Sequence, residues 1–227
     1  MRYTTVLFDA DNTLLDFSRA ERAALIDALA AFGVTPDEEK IRRYSAVNDM
    51  MWKKLERGEI GKADLRVERF AVFCREYDLH IDVPALAVTY TDRLAEKAFL
   101  MPGALETCRT LAGHCDLYII TNGLKTVQEK RFAATPLYPL FKGSFISEAM
   151  GAEKPDPDYF AAVARAIKGF DPAKTLVVGD SLTSDIAGGI AAGLDTCWFN
   201  PKHLTNPGLP VTYTIDRLED VIPPVMA

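Results

Sequence analysis

The amino-acid sequence predicts an α/β fold: a Rossmann-like core with a mainly parallel sheet, interrupted once by an inserted helical domain. Three observations lead there. Short β-rich runs at residues 3–9, 116–121, 144–147, 175–180 and 196–200 are apolar throughout instead of alternating, which suits strands covered on both faces. Helical patterns separate most of them, the order expected of parallel strands joined by crossovers. Between the first and second runs lie about a hundred residues, far more than a crossover needs, so a further unit belongs in that gap.

Taken in chain order, YTTVLFD (3–9) opens the core. Ser18 to Glu21 has capping-box spacing ahead of Leu25, Ile26, Leu29 and Phe32, and Gly33 reads as the helix stop. Thr35-Pro36-Asp37-Glu38 starts a second helix with proline at its first position, and Ile41, Tyr44, Val47, Met51 and Leu55 follow at helical spacing. Val67, Phe70, Cys74 and Tyr77 mark a third helix; Leu86, Tyr90 and Leu94 mark a fourth. Met101-Pro102-Gly103 reads as the point of return. The expected division is a core of residues 1–16 and 99–227 and an antiparallel helical domain of residues 17–98. Near the end, VTYTI (211–215) reads as an edge strand, and His203 is expected on the surface without a catalytic use.

Composition narrows the function. Lys and Arg number 26 against 32 Asp and Glu, a net charge of −6. No basic cluster offers what a phosphate backbone demands, so a nucleic acid polymer is not an expected partner. With 48% hydrophobic residues there is ample material for a sizeable core. No run of about 18 apolar residues is present to span a membrane, and the first residues lack the apolar run and cleavage site of a signal peptide. Cys74, Cys108, Cys115 and Cys197 have no C-x-x-C spacing, which argues against zinc or redox motifs and for buried thiols in a reducing compartment. The expectation is a cytoplasmic monomer.

Four polar clusters each follow a β-rich run. DADNTL (9–14) places Asp9 and Asp11 where a strand gives way to its loop, the position at which α/β folds bind ligands. Residues i and i+2 of an extended segment face the same way, so one carboxylate can attack while the other transfers protons; a plain turn or helix start is the alternative. IITNG (119–123) offers a Thr hydroxyl and then turning backbone N–H groups to a phosphate, or is only a tight turn. Lys154, in EKPDPDYF, sits before a proline at a loop-to-helix junction with Asp156 as N-cap; it balances crowded negative charge or is a solvated surface lysine. VVGDSLTSDI (177–186) carries Asp180 and Asp185 across a turn into a helix, hard oxygen ligands suited to Mg²⁺, or a helix cap by Ser184 or Asp185. Independent caps need not gather along one edge of one sheet; a nucleophile, an acid, phosphate donors, a cation and metal ligands do.

The ordered set DADNT, TNG, EKP and GDSLTSD resembles the four motifs of the haloacid dehalogenase (HAD) superfamily, across nearly the whole core. The resemblance implies a Mg²⁺-dependent phosphatase with Asp9 as nucleophile, Asp11 as general acid and base, Thr121 and the Asn122 amide on the phosphoryl oxygens, and Lys154 as balancing cation. It also implies Asp9, the Asp11 carbonyl and Asp180 as metal ligands, with Asp185 holding a metal-bound water or Lys154. True haloacid dehalogenases of that superfamily lack the second Asp, so Asp11 favours phosphatase chemistry. Phosphonate-cleaving relatives use a lysine of the inserted domain; Lys40, Lys53, Lys54 and Lys62 keep that alternative open. A non-catalytic interaction module on the same fold is a further alternative, disfavoured because all four motif residues are present.

More narrowly, DADNTL, YSAVNDMMWKKLERGEI (44–60), RVERF (66–70) and AGLDTCWFN (192–200) resemble the pyrimidine 5′-nucleotidase branch. This implies a small phosphorylated metabolite, a nucleoside monophosphate, as substrate, with the helical insertion as a cap; sugar phosphates are the alternative. Within the insertion, Asn48 has an amide suited to a base edge, and Phe17 and Trp52 offer apolar ring contacts. Residues at such helical spacing also fit the interior of the inserted domain itself.

Overall fold

A computed structural model describes residues 1–227. The chain divides into two compact units, Met1–Asp16 with Ala98–Ala227, and Phe17–Lys97.

The first unit is built on six strands: β1 (Thr5–Asp9), β2 (Asp116–Thr121), β3 (Gly143–Ile146), β4 (Thr175–Gly179), β5 (Asp195–Phe199) and β6 (Tyr213–Ile215). They run in the order β3-β2-β1-β4-β5-β6 and every pairing is parallel. The predicted mainly parallel α/β core is therefore what forms, with VTYTI supplying the edge strand. Side chains alternate in direction along each strand, and both directions are apolar. Val6, Phe8, Leu117, Ile119, Leu176, Val178, Cys197 and Phe199 enter one core layer, together with residues of α5 (Ala104–Ala112) and α6 (Lys125–Ala133). Leu7, Ile120 and Val177 enter the opposite layer, against Tyr159, Phe160 and Val163 of α8 (Pro157–Ala166). Strands after β1 build outward to one side through β2 and β3, and to the other through β4 and β5. The order therefore reverses beside β1, and a crevice opens there at the carboxyl ends of the strands.

The second unit consists of α1 (Phe17–Ala30), α2 (Glu38–Glu56), α3 (Lys62–Glu76) and α4 (Val83–Ala95). Its interior centres on an aromatic cluster in which Tyr44 stacks on Phe70 with ring centroids 5.1 Å apart, and Tyr90 lies 5.1 Å from Phe70 and 5.6 Å from Tyr44. Two start signals differ from expectation. α1 begins at Phe17, so Ser18 lies inside its first turn, and the Glu21 carboxylate turns inward to accept from Ser45 Oγ (2.5 Å) and Asn48 Nδ2 (2.7 Å) in place of closing a capping box. α2 is capped by Asp37, which accepts from the Lys40 N–H at 2.9 Å, so Pro36 precedes the cap and is not the first helical residue. In both cases a side chain found a better partner than local spacing indicated.

The outgoing and returning chain are tied together within the first unit: the Asp16 N–H donates to Phe99 O and the Met101 N–H to Leu14 O, each at 2.9 Å. Gly103 then takes a left-handed φ of 76° ahead of α5, a conformation glycine adopts without steric cost. Two short helices complete the unit, α7 (Ser147–Met150) after β3 and α9 (Ala187–Ala191) after β4, with α10 (Ile222–Met226) at the end.

α9 approaches closely because of glycine. A Cβ at Gly188 would lie 2.5 Å from the Phe160 ring and 3.0 Å from Pro155 Cα. Gly188→Ala is expected to destabilise the protein by about 1–3 kcal/mol through overpacking, read as a lowered urea midpoint at unchanged slope; an unaltered midpoint would show that this contact yields freely.

Candidate active site

The carboxyl ends of β1, β2 and β4 lie side by side, because all three strands are parallel and adjacent. Asp9 ends β1, Thr121 ends β2, and Asp180 follows β4 directly. Lys154 arrives from the loop before α8. The residue is 1% exposed, and its Nζ donates to Asp9 Oδ1 at 2.7 Å and Asp185 Oδ1 at 2.6 Å and lies 3.3 Å from Ile120 O. The reading of Lys154 as an idle surface cation is thereby excluded.

Each member is held from behind. The Lys154 backbone is gripped by the Asn122 side chain, whose Nδ2 donates to Lys154 O (2.7 Å) and whose Oδ1 accepts from Lys154 N–H (2.9 Å). With its Oδ1 and Nδ2 both engaged by the Lys154 backbone, the Asn122 side chain joins two loops and places Lys154. Asp185 Oδ2 accepts from the Ser181 N–H at 3.1 Å. The helical turn that follows is capped by Ser181, which accepts from Ser184 N–H, and not by Ser184 or Asp185. A Cβ at Gly179 would collide with the Asp185 carboxylate, so glycine is required there for the carboxylate to reach Lys154. Trp198 Nε1 donates to Asp180 O at 2.9 Å and fixes the turn carrying that residue. Tyr159 donates to Phe145 O at 2.6 Å and accepts from the Thr121 N–H at 3.2 Å.

Oxygens of Asp9, Asp180 and Asp185 lie within 4.8 Å of one another. Three carboxylates around one ammonium leave excess negative charge in a poorly solvated place. Burial pushes the Asp9 carboxyl well above the usual carboxylate range, with Asp185 adding to the rise and Lys154 opposing it. Burial and then Asp185 push Asp180 up to about 7. Burial disfavours the Lys154 charge, but Asp185 and Asp9 outweigh it and hold the ammonium above the ordinary lysine value. Hard oxygen donors with surplus negative charge fit a divalent cation such as Mg²⁺, with Asp9 and Asp180 as the carboxylates not shut away behind Lys154.

Asp11 stands two residues beyond β1 and is engaged by α6. Arg131 Nη1 lies 2.5 Å from its Oδ1, and Gln128 Nε2 lies 2.9 Å from its Oδ2 and 2.8 Å from Thr121 Oγ1. Sequence reasoning missed Gln128, Arg131, Tyr159 and Trp198. A signal for the first two was present: Gln and Arg at i,i+3 on the helix that follows TNG.

In the helical unit, Asn48 requires correction. It is wholly buried, donating to Glu21 Oε1 and accepting from Arg69 Nη1 at 2.9 Å, so its amide links two buried charges and is not available to read a base. Burial pushes the Glu21 carboxyl up, the Ser45 and Asn48 hydrogen bonds opposing. The Arg69 guanidinium packs 4.8 Å from the Tyr90 ring centroid. Trp52 is half-buried against the Met51, Leu55 and Leu65 cluster, the structural role that its spacing also allowed. Phe17 is half-buried at the start of α1. His203 is exposed.

The raised carboxyls have a stability consequence. Folded Asp9 and Asp180 bind protons more tightly than in the unfolded chain, so their contribution favours folding at acid pH and is lost as pH rises, for Asp180 from about 4 through 7. In metal-free protein, stability relative to Asp180→Asn should fall by on the order of 2 kcal/mol between pH 5 and 8, a figure reduced for partial exposure. Parallel thermal melting curves across that range measure it; a constant difference would contradict the electrostatic description.

Comparison with known proteins gives this geometry a family. Residues 3–193 match the haloacid dehalogenase-like hydrolase family. The chain is 40% identical to pyrimidine 5′-nucleotidase PynA of Streptococcus pneumoniae, over 91% of this chain and 87% of that protein. It is 32% identical to pyrimidine 5′-nucleotidase YjjG of Escherichia coli, over 97% of each. Its fold superposes on the crystal structure of the magnesium-bound HAD-hydrolase YfnB of Bacillus subtilis with a TM-score of 0.95 at 37% identity, covering all of both chains. A buried lysine between paired carboxylates at the switch point of a parallel sheet, carried by a sequence with these relatives, makes the chain a phosphoric monoester hydrolase belonging to the haloacid dehalogenase-like hydrolase family.

Proposed function

We propose that the chain is a Mg²⁺-dependent 5′-nucleotidase that hydrolyses pyrimidine nucleoside monophosphates through an aspartyl phosphate on Asp9. The observation that carries the chemistry is Lys154 Nζ bonded to Asp9 Oδ1, with Asp180 beside them. Lys154 opposes the protonation of Asp9 that burial favours, and one Asp9 oxygen is left to attack phosphorus. The bond from phosphorus to the ester oxygen breaks, and Asp11 gives the departing alkoxide its proton. Asp11, now ionised, takes a proton from water as that water attacks the same phosphorus; the bond to Asp9 breaks, and inorganic phosphate leaves. Thr121 and the Asn122 backbone N–H hold phosphoryl oxygens at the end of β2. Asp9, the Asp11 carbonyl and Asp180 hold Mg²⁺, which supplies charge neutralisation for the phosphoryl oxygens when bound. Asp185 acts behind Lys154, fixing its Nζ.

The substrate class rests on the two nucleotidase relatives and on the resemblance of residues 44–60 and 192–200 to that branch. Asn48 has no part in base recognition here.

Three measurements test the reading. In a panel of phosphate esters with Mg²⁺, uridine and thymidine 5′-monophosphates should exceed purine nucleotides and sugar phosphates in kcat/KM by at least about tenfold; the reverse order would remove the specificity and leave the chemistry. Asp9→Asn should reduce kcat by about 10⁴-fold or more, and chelation of divalent ions should abolish turnover reversibly. Wild-type rates from Asp9→Asn would end the covalent scheme.

A further inference from the structure

α6 buries an unexpected face. Among its buried residues, Val127 and Phe132 are accompanied by Gln128 at 1% exposure and Arg131 at 0%. Buried polar side chains are retained where they are bonded, and a buried guanidinium above all requires an acceptor. Both of these lead to Asp11. Arg131 Nη1 reaches Asp11 Oδ1 at 2.5 Å and Gln128 Oε1 at 3.0 Å. Because the Gln128 oxygen accepts from Arg131, its nitrogen is left to face Asp11 Oδ2 (2.9 Å) and Thr121 Oγ1 (2.8 Å). The orientation of the amide is thus determined by its neighbours, and the Gln128 nitrogen faces two groups of the site.

Asp11 itself sits in a loop, followed by Asn12 in the left-handed region at φ 60°. A loop carboxylate without such partners samples several rotamers, and proton transfer requires one. Here both oxygens are held by donors on one helix, while the side chain keeps 26% of its surface exposed. Gln128 additionally joins Asp11 to Thr121, so the carboxylate and the end of β2 keep a fixed separation.

We propose that Gln128 and Arg131 are positioning residues, which set the Asp11 carboxylate in place for proton transfer and lock it to Thr121. The inference rests on the role given above to Asp11. Its consequence is selective: misplacing a proton donor harms esters in proportion to how much their leaving group needs a proton.

The test compares kcat/KM for 4-nitrophenyl phosphate, whose phenolate departs with little help, and thymidine 5′-monophosphate, whose alkoxide needs a proton. The ratio of the two is independent of the fraction of protein correctly folded, so a destabilised variant still gives an answer. Gln128→Leu and Arg131→Lys should lower both values, with the nucleotide falling at least about tenfold further, in the same direction as Asp11→Asn. If Asp11→Asn is selective but Gln128→Leu and Arg131→Lys reduce both esters equally, the pair serves the fold alone and the inference is overturned while Asp11 keeps its role. If Asp11→Asn reduces both esters equally, the role of Asp11 falls and the inference falls with it.

Discussion

One buried ammonium organises the α/β unit. Lys154 joins Asp9 at the end of β1 to Asp185 in the turn after β4, and touches the end of β2 through Ile120 O. Without it, the strand ends would confront one another with carboxylates alone, and burial would drive them still further toward the neutral acid. Asn122 ties the lysine's backbone to the loop after β2 by a reciprocal pair of hydrogen bonds, so the cation is placed by main chain as well as by charge. Removing one partner of such a buried pair leaves an uncompensated charge, which is why the whole constellation is expected to stand or fall together.

Much of this was legible in the sequence, for a physical reason. A parallel sheet buries both faces of its strands, so each strand is written as an apolar run that stops where the chain meets solvent. The first polar residues after the run are then both the strand's end and the site; DADNT and GDSLTSD are read in one step as topology and chemistry. Lys154 was ambiguous until the fold was known, since an isolated lysine before a proline looks like surface. What was not legible lies on helices. Gln128 and Arg131 occupy positions that a periodicity reading assigns to solvent because they are polar, and their burial follows only from the placement of Asp11 across from them. Asn48 failed in the opposite sense: its amide looked available for a ligand, yet Glu21 and Arg69 consume it. Nothing local distinguishes an amide that bridges buried charges from one that reads a base.

The two units express different designs. The α/β unit gathers its polar groups at one sheet edge and keeps apolar layers above and below. The helical unit instead carries a polar thread, Ser45–Glu21–Asn48–Arg69, through an interior otherwise filled by Tyr44, Phe70, Phe73 and Tyr90. Such a network contributes little net stability relative to apolar packing but penalises any register of α1, α2 and α3 that leaves one of its charges unbonded. Phosphatase chemistry belongs to the balance of charges in the first unit, while discrimination among substrates is a property of particular side chains and not of the fold.

In the proposed scheme phosphorus becomes bonded to Asp9 during turnover. Quenching the enzyme with acid in mid-turnover, reducing any acyl phosphate with borohydride and mapping the peptides by mass spectrometry tests it directly. Homoserine is expected at position 9 and nowhere else, dependent on substrate and divalent ion; an unmodified Asp9 in an actively turning-over sample, or modification at another residue, would contradict the covalent scheme.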